Sequence, residues 1–127
     1  MTDPQARQTV EVTIGRRDLG GPVLERLVSA AAARADMPVD RMFDAMAAID
    51  CLNHALDTVL ADRVRTLLIG ISPGSVTLSV IGLSSDQLAR VREAGVLPGV
   101  GDVMARTTSA IEIEQDGAEP ALTLTLG

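Results

Sequence analysis

The segment Val64-Arg65-Thr66-Leu67-Leu68-Ile69-Gly70-Ile71-Ser72-Pro73-Gly74-Ser75-Val76-Thr77-Leu78-Ser79-Val80-Ile81 marks where the chain changes its hydrophobic period. Leu67, Ile69 and Ile71 alternate with other residues, Ser72-Pro73-Gly74-Ser75 supplies turn formers, and Val76, Leu78 and Val80 alternate again. A period of two belongs to half-buried strands, so this segment predicts a β-hairpin with a four-residue loop. Immediately upstream the period is helical. Met42, Met46, Ile49, Leu52, Leu56 and Val59 recur at three- and four-residue steps, which predicts a helix over about 39 to 60, opened by the Met37-Pro38 break.

Working outward, Val10, Val12 and Ile14 alternate with Thr and Glu and predict a strand over Thr9 to Ile14. Asp18 can cap a following helix with Pro22 near its start, where the missing N–H is not needed. Val23, Leu24, Leu27, Val28, Ala31 and Ala35 give that helix one apolar face ending at Asp36. Beyond the hairpin, Ser84 and Ser85 can cap a helix through Leu88 and Val91 to Glu93. Gly95, Pro98, Gly99 and Gly101 then predict a flexible stretch, followed by a short helix over about 101 to 107. Ala110 to Glu114 alternates, Asp116-Gly117 turns, and Leu122, Leu124 and Leu126 form a closing strand. The order strand, helix, helix, hairpin, helix, hairpin predicts an α/β (α+β) two-layer sandwich. Its helices cover one face of a mixed, mostly antiparallel sheet of about five strands. Residues 1–8 are expected to be a flexible N-terminus and 9–127 a single domain, for 127 residues build one core.

Composition narrows the function classes. Seventeen acidic residues against eleven Arg, with no Lys, give a formal charge of −6, which disfavours nucleic acid as a partner because phosphate neutralisation supplies most of that affinity. The absence of Lys also removes a Schiff-base or phosphate-loop lysine. Phe43 is the lone aromatic ring, so stacking on bases or sugars is nearly excluded. Cys51 is the single cysteine and sits mid-helix among apolar neighbours, the setting of a buried structural thiol in a reducing compartment. The chain carries no apolar signal core and no run long enough to span a bilayer, which predicts a cytoplasmic protein with no membrane partner.

Four groups of residues carry chemistry, each beside a plainer structural role. Asp50 and His54 lie at i and i+4 on one helix face with Asn53 and Asp57 nearby. Such a pair can share a proton or hold a metal, but more often it is a surface pair worth about 0.2–0.5 kcal/mol. A lone His argues against zinc, so no metal site is expected. Pro98-Gly99-Val100-Gly101 before a short helix can cradle phosphate or simply turn. Ile81-Gly82-Leu83-Ser84-Ser85-Asp86 leads from strand to helix, a common ligand position whose polar groups are also good caps. Asp40, Arg41, Asp44, Asp57, Asp62 and Arg63 make a solvated charged flank.

From about Thr9 to Leu126 the chain resembles the histidine-kinase-like ATPase (GHKL) fold in its small bacterial form, the anti-sigma-factor serine kinase type. The resemblance rests on the element order, on Ile49-Asp50-Cys51-Leu52-Asn53-His54-Ala55 at the family's Glu-and-Asn helix, and on Gly99-Val100-Gly101-Asp102-Val103-Met104-Ala105-Arg106 at its glycine box. The hairpin Thr66 to Ile81 falls where the family's next two strands lie. The resemblance implies a nucleotide site for ATP and magnesium at Asn53, His54, Gly82, Ser84, Gly99 and Gly101, with Asp50 as catalytic base if the domain is active. The motifs depart from the family. Aligned on Ala55, Asp50 replaces the activating Glu and His54 replaces the magnesium-binding Asn, although a hard oxygen suits magnesium better than an imidazole nitrogen. A one-residue shift restores Asn53 but puts Ile49 at the Glu position. Gly82 stands where the family's Asp reads the adenine amino group, a loss of about 1.5–3 kcal/mol for a charged hydrogen bond. Ser84 replaces a glycine, and Asp102 brings negative charge beside the phosphates.

The resemblance therefore implies a degenerate regulator with weak or absent ATP binding. Its partners would be a sigma factor or an anti-sigma-antagonist domain, with a homodimer plausible. An active protein serine kinase with atypical motifs, and a small-ligand sensor reusing the emptied pocket, are the alternatives.

Overall fold

The computed structural model describes residues 8–14, 17–61, 63–114 and 119–127, with side chains omitted for 17–20. The expected Asp116-Gly117 turn and Asp62 lie outside the described residues. Strand β1 (Gln8–Ile14) leads to helices α1 (Arg17–Arg34) and α2 (Val39–Leu60), then to the hairpin β2 (Arg65–Ser72) and β3 (Ser75–Ile81). Helix α3 (Ser85–Ala94), short strands β4 (Val96–Leu97) and β5 (Gly101–Asp102), and helix α4 (Val103–Thr107) follow, before β6 (Ala110–Glu114) and β7 (Ala121–Leu126). The main sheet has the order β1-β2-β3-β7-β6, and every neighbouring pair is antiparallel. This is the expected α+β sandwich. No helix among the described residues is long and apolar enough to cross a membrane.

The two-residue period of the strands sorts the sheet into two faces. Leu67, Ile69 and Ile71, Val76, Leu78 and Val80, and Leu122, Leu124 and Leu126 are all buried on the face that carries the helices. The opposite face presents Thr66, Thr77, Ser79, Thr123 and Thr125, with Ser79 Oγ and Thr123 Oγ1 hydrogen-bonded at 2.8 Å. On that face a Cβ on Gly70 would run into the Thr77 hydroxyl, so the strand needs glycine for space alone.

Helix α2 is the centre of the helical layer and packs against α1, α3 and α4. Its buried residues are Ala45, Ala48, Ile49, Cys51, Leu52, Ala55, Leu56 and Leu60, a broader surface than the single predicted stripe. Ala at 45, 48 and 55 lets neighbouring elements approach closely, while Met42, Met46 and Val59 are only half-buried. Truncating a fully buried side chain here, such as Leu56→Ala, would cost about 2–5 kcal/mol.

Several boundaries differ from the expected ones. Helix α1 starts at Arg17, ahead of Asp18, and holds Pro22 inside its length, so the bond that residue 22 would donate one turn back is missing. The helix stops through Asp36 at φ 60°, with Met37 N–H donating to Ala32 O and Asp36 N–H to Ala33 O, a Schellman closure in which Asp replaces Gly. The hairpin loop has two residues, because Ser72 and Ser75 pair with each other and leave Pro73-Gly74 as the turn, with Gly74 at φ 78°. The glycine-rich stretch expected to be flexible is structured: Val96 pairs with Asp102 and Leu97 with Gly101. Pro98-Gly99 closes this small hairpin, with Val100 N–H donating to Leu97 O at 3.1 Å and Gly99 at φ 77°.

Candidate functional site

Asp50, His54 and Asp57 follow one another along the outer ridge of α2. Asp50 and His54 are exposed and make no hydrogen bond to each other, so the i,i+4 pair is a surface juxtaposition. Asp50 instead meets Glu25 of α1: their hydrogen bond, and then the repulsion between the two charges, pushes the Glu25 carboxyl above its ordinary value. Asp57 turns the other way and accepts from Arg65 Nη1 at 2.6 Å. Arg65 is only 2% exposed and also bonds Ala61 O and Arg63 O, so its guanidinium gathers the carbonyls at the end of α2. The Asp57 end of the ridge is therefore a structural clamp.

Asn53 does not join Asp50 and His54 on the crest. It is half-buried, and its Nδ2 lies without a hydrogen-bond partner among the described residues, 3.8 Å from where a Gly21 Cβ would stand, on the α1 side of the helix. Cys51 projects to the other flank, 5% exposed, where its thiol donates to Gly95 O at 3.4 Å. Burial is the main cause that raises its pKa, so it is the inert structural thiol the sequence suggested.

The glycine positions serve backbone geometry. Gly82 adopts φ 79° in the turn after β3, a conformation costly for an L side chain. Ser84 is the N-cap of α3: its hydroxyl accepts from Gln87 N–H at 3.1 Å while the Gln87 side chain accepts from Ser84 N–H at 3.0 Å, a complete capping box. Gly101, at φ 99°, ends the short hairpin. Asp102 is then the N-cap of α4, accepting from Ala105 N–H at 3.2 Å and from both terminal nitrogens of Arg92 at 3.0 and 2.6 Å. Arg92 in turn holds the Asp102 carboxyl below the usual carboxylate range. Behind this pair, Met104 is fully buried so close to Gly95 that a Cβ there would lie 2.7 Å from its Cε.

Asp50 and His54 thus stand on the crest of α2, Asn53 leans toward α1, and Gly82, Ser84, Gly99 and Gly101 belong to turns and caps around α3 and α4. Three surface hollows do not include any of these residues. Two, of about 400 and 470 Å³, lie beside β1 and the end of α1; the third, about 430 Å³, lies between α2 and α3 around Thr58, Val59, Arg90 and Glu93. The carboxylates of Glu25 and Asp50 meet, and among the described residues no third His, Cys, Asp or Glu converges with them. At the start of α4 the Ala105 N–H, one of the donors a phosphate would use, is already taken by the chain's own Asp102 carboxylate.

Sequence reasoning missed four participants. Glu25 is 25 residues from Asp50, and only the packing of α1 on α2 joins them. Arg92 gave no signal beyond a basic residue in the last turn of α3. Val39 and Phe43 continue the Asp50–His54 ridge toward the start of α2 at helical spacing and are 70% and 75% exposed. Their signal was legible: Phe43 falls one position off the apolar stripe marked by Met42 and Met46. No protein-family model and no curated protein sequence matches the chain.

Proposed function

We propose that this chain is a histidine-kinase-like ATPase domain of the small anti-sigma-factor kinase type that has lost efficient nucleotide chemistry and works as a cytoplasmic, protein-binding regulator. The observation that carries the loss is Asp102. A bound phosphate would have to share the start of α4 with a carboxylate fixed there by two bonds from Arg92 and one from Ala105. The Asp102 carboxylate already takes the Ala105 N–H and pairs with Arg92, so neither group is free for a phosphate. Gly82 supplies no carboxylate for an adenine amino group, and Asp50 faces Glu25 in place of a cation among the described residues.

The protein-binding half of the proposal is supported by the ridge of α2. An aromatic ring 75% exposed beside a valine 70% exposed is unusual in a chain with one aromatic residue, and such rings are common anchors of interfaces. The resemblance names a sigma factor or an anti-sigma-antagonist domain as partner. Isothermal titration with MgATP and MgADP tests the first half: no heat of binding at micromolar ligand is expected, and micromolar affinity overturns it. A Phe43→Ala variant tests the second. It should keep the wild-type melting temperature yet bind a sigma-factor or anti-sigma-antagonist partner at least tenfold more weakly, and unchanged affinity would count against this ridge.

A further inference from the structure

Helix α1 does not fully cover the sheet beneath it. Gln8 stands opposite Ile71 and Val10 opposite Ile69 across β1 and β2, so these four residues share the helix-facing side of the sheet. Above them Leu27, Ala30, Ala31 and Arg34 recur at the spacing of one stripe of α1. Alanine at 30 and 31 is too short to close the gap: Val10 faces the helical layer and yet stays 45% exposed. What remains is a groove of about 400 Å³ whose apolar wall is Val10, Leu27, Ala30, Ala31, Ile69 and Ile71.

The polar part of the lining is Gln8, Thr9 and Arg34. A second hollow, of about 470 Å³, shares Gln8, Arg34 and Ile71 with the first and extends past Asp36 and Ser72. Arg34 therefore stands where an apolar groove meets a polar one. It is exposed, and among the described residues it makes no ion pair. Its guanidinium thus offers a fork of N–H donors to an incoming acid. The wall selects the rest of the ligand. It is aliphatic throughout, and the chain's one aromatic ring, Phe43, is not part of it, so a flexible hydrocarbon chain suits it better than a flat ring. Asp36 lines the adjoining hollow and would repel a second negative charge, which favours a single acid group. Neither hollow includes Asn53, His54, Gly82, Ser84, Gly99 or Gly101.

We propose that this groove binds a free aliphatic monoacid of medium chain length, its hydrocarbon chain lying between α1 and the β1–β2 edge and its carboxylate on Arg34. A cavity of this size falls within the range of small-molecule sites, and an apolar wall with one charged group at its end is their usual chemistry. Filling it covers Val10 and ties β1, an edge strand, to α1, so the bound form holds the sheet edge more firmly than the empty one. The site depends neither on the fate of the nucleotide chemistry nor on a protein partner.

Isothermal titration of the full chain with octanoate, decanoate and dodecanoate, each below its micelle concentration, decides it. Each buried methylene contributes about fourfold in affinity, so binding should tighten about tenfold for every two carbons added until the groove is full. Arg34→Gln should weaken decanoate at least tenfold, Arg34→Lys should weaken it less, and decanol, which lacks the charge, should bind wild type and Arg34→Gln alike. Ala30→Trp, at an exposed helix position, should fill the groove and abolish binding with unchanged far-ultraviolet circular dichroism. Should that variant lose its fold, the Arg34 series and the decanol control stand without it. No binding at millimolar decanoate overturns the proposal. So does binding that Arg34→Gln leaves intact, binding that a folded Ala30→Trp leaves intact, or binding seen only with phosphatidylglycerol vesicles, which would mean a membrane surface in place of the free acid.

Discussion

Replacing Asp102 separates the cap from the charge, because the same carboxylate does both jobs. Asp102→Ala removes the acceptor for Ala105 N–H and both bonds from Arg92. Loss of an N-cap costs about 0.5–2 kcal/mol. The ion pair, with its two side chains 25% and 33% exposed, adds only about 0.2–1 kcal/mol because solvent screens it. The sum is about 1–3 kcal/mol. With an unfolding entropy of about 0.27 kcal/mol/K for a chain of this length, the midpoint should fall by about 4–11 °C. Asp102→Asn keeps a capping oxygen and loses only the charge, so its midpoint should fall by about 1–4 °C.

The pH dependence follows from the same contact. Arg92 lowers the folded-state pKa of Asp102, so the unfolded chain binds this proton more readily than the folded one. The stabilisation is complete above the unfolded value and disappears as pH falls through the folded value. The wild-type advantage over Asp102→Asn should stay level from about pH 5 to 8 and shrink below about pH 4. It should also shrink in 1 M salt, where the Debye length is about 3 Å. Calorimetry of the three proteins across pH provides the check. Equal losses for Asn and Ala, or an advantage that grows on acidification, would refute the account of Asp102 as cap and ion-pair partner together.

Gly70→Ala should cost about 1–3 kcal/mol by forcing a methyl against the Thr77 hydroxyl; Thr77→Ala in the same chain should recover most of it, and additive urea-denaturation energies would disprove the contact. Arg65→Ala should destabilise by about 2–4 kcal/mol in the same assay. That is less than for a fully enclosed pair, since Asp57 remains 37% exposed, and a change under about 0.5 kcal/mol would contradict the clamp. The Cys51 thiol should react slowly with a disulfide reagent at neutral pH in the native protein and rapidly in denaturant; prompt native labelling would mean that the flank under Gly95 opens readily.

The fold was legible because period and punctuation agreed almost everywhere. Val76, Leu78 and Val80 alternate without exception, Pro38 sits at the observed start of α2, and Ser84 with Gln87 forms the cap its spacing announces. The misses share one cause: a local signal was outvoted by a partner distant in sequence. Gly95, Gly99 and Gly101 read as a flexible stretch, but the Asp102–Arg92 pair and the buried Met104 pin its ends. The four-residue turn shrank to Pro73-Gly74 because Gly74 N–H reaches Ala35 O at the end of α1, drawing the hairpin tip onto the helix. Asp50 and Asn53 were correctly placed on one helix, about 60° apart around it, and both meet α1: Asp50 faces Glu25 and Asn53 lies beside Gly21.

On the proposed reading, the loss of nucleotide chemistry and the ordered structure around α4 both follow from Asp102. A loop built from glycines at positive φ gains no stability from its own side chains, so something else must hold it. In a nucleotide-dependent domain that something can be the ligand, whose phosphates satisfy the donors at the helix start. Here Asp102 satisfies one of them from within the chain, Arg92 neutralises the charge this brings, and Met104 packs beneath. Order no longer depends on an added anion. A regulator of this kind would hold one conformation whatever the cellular nucleotide level, and its activity would be set by what competes for its surfaces. On the proposed reading, one such surface is the Phe43 ridge on α2.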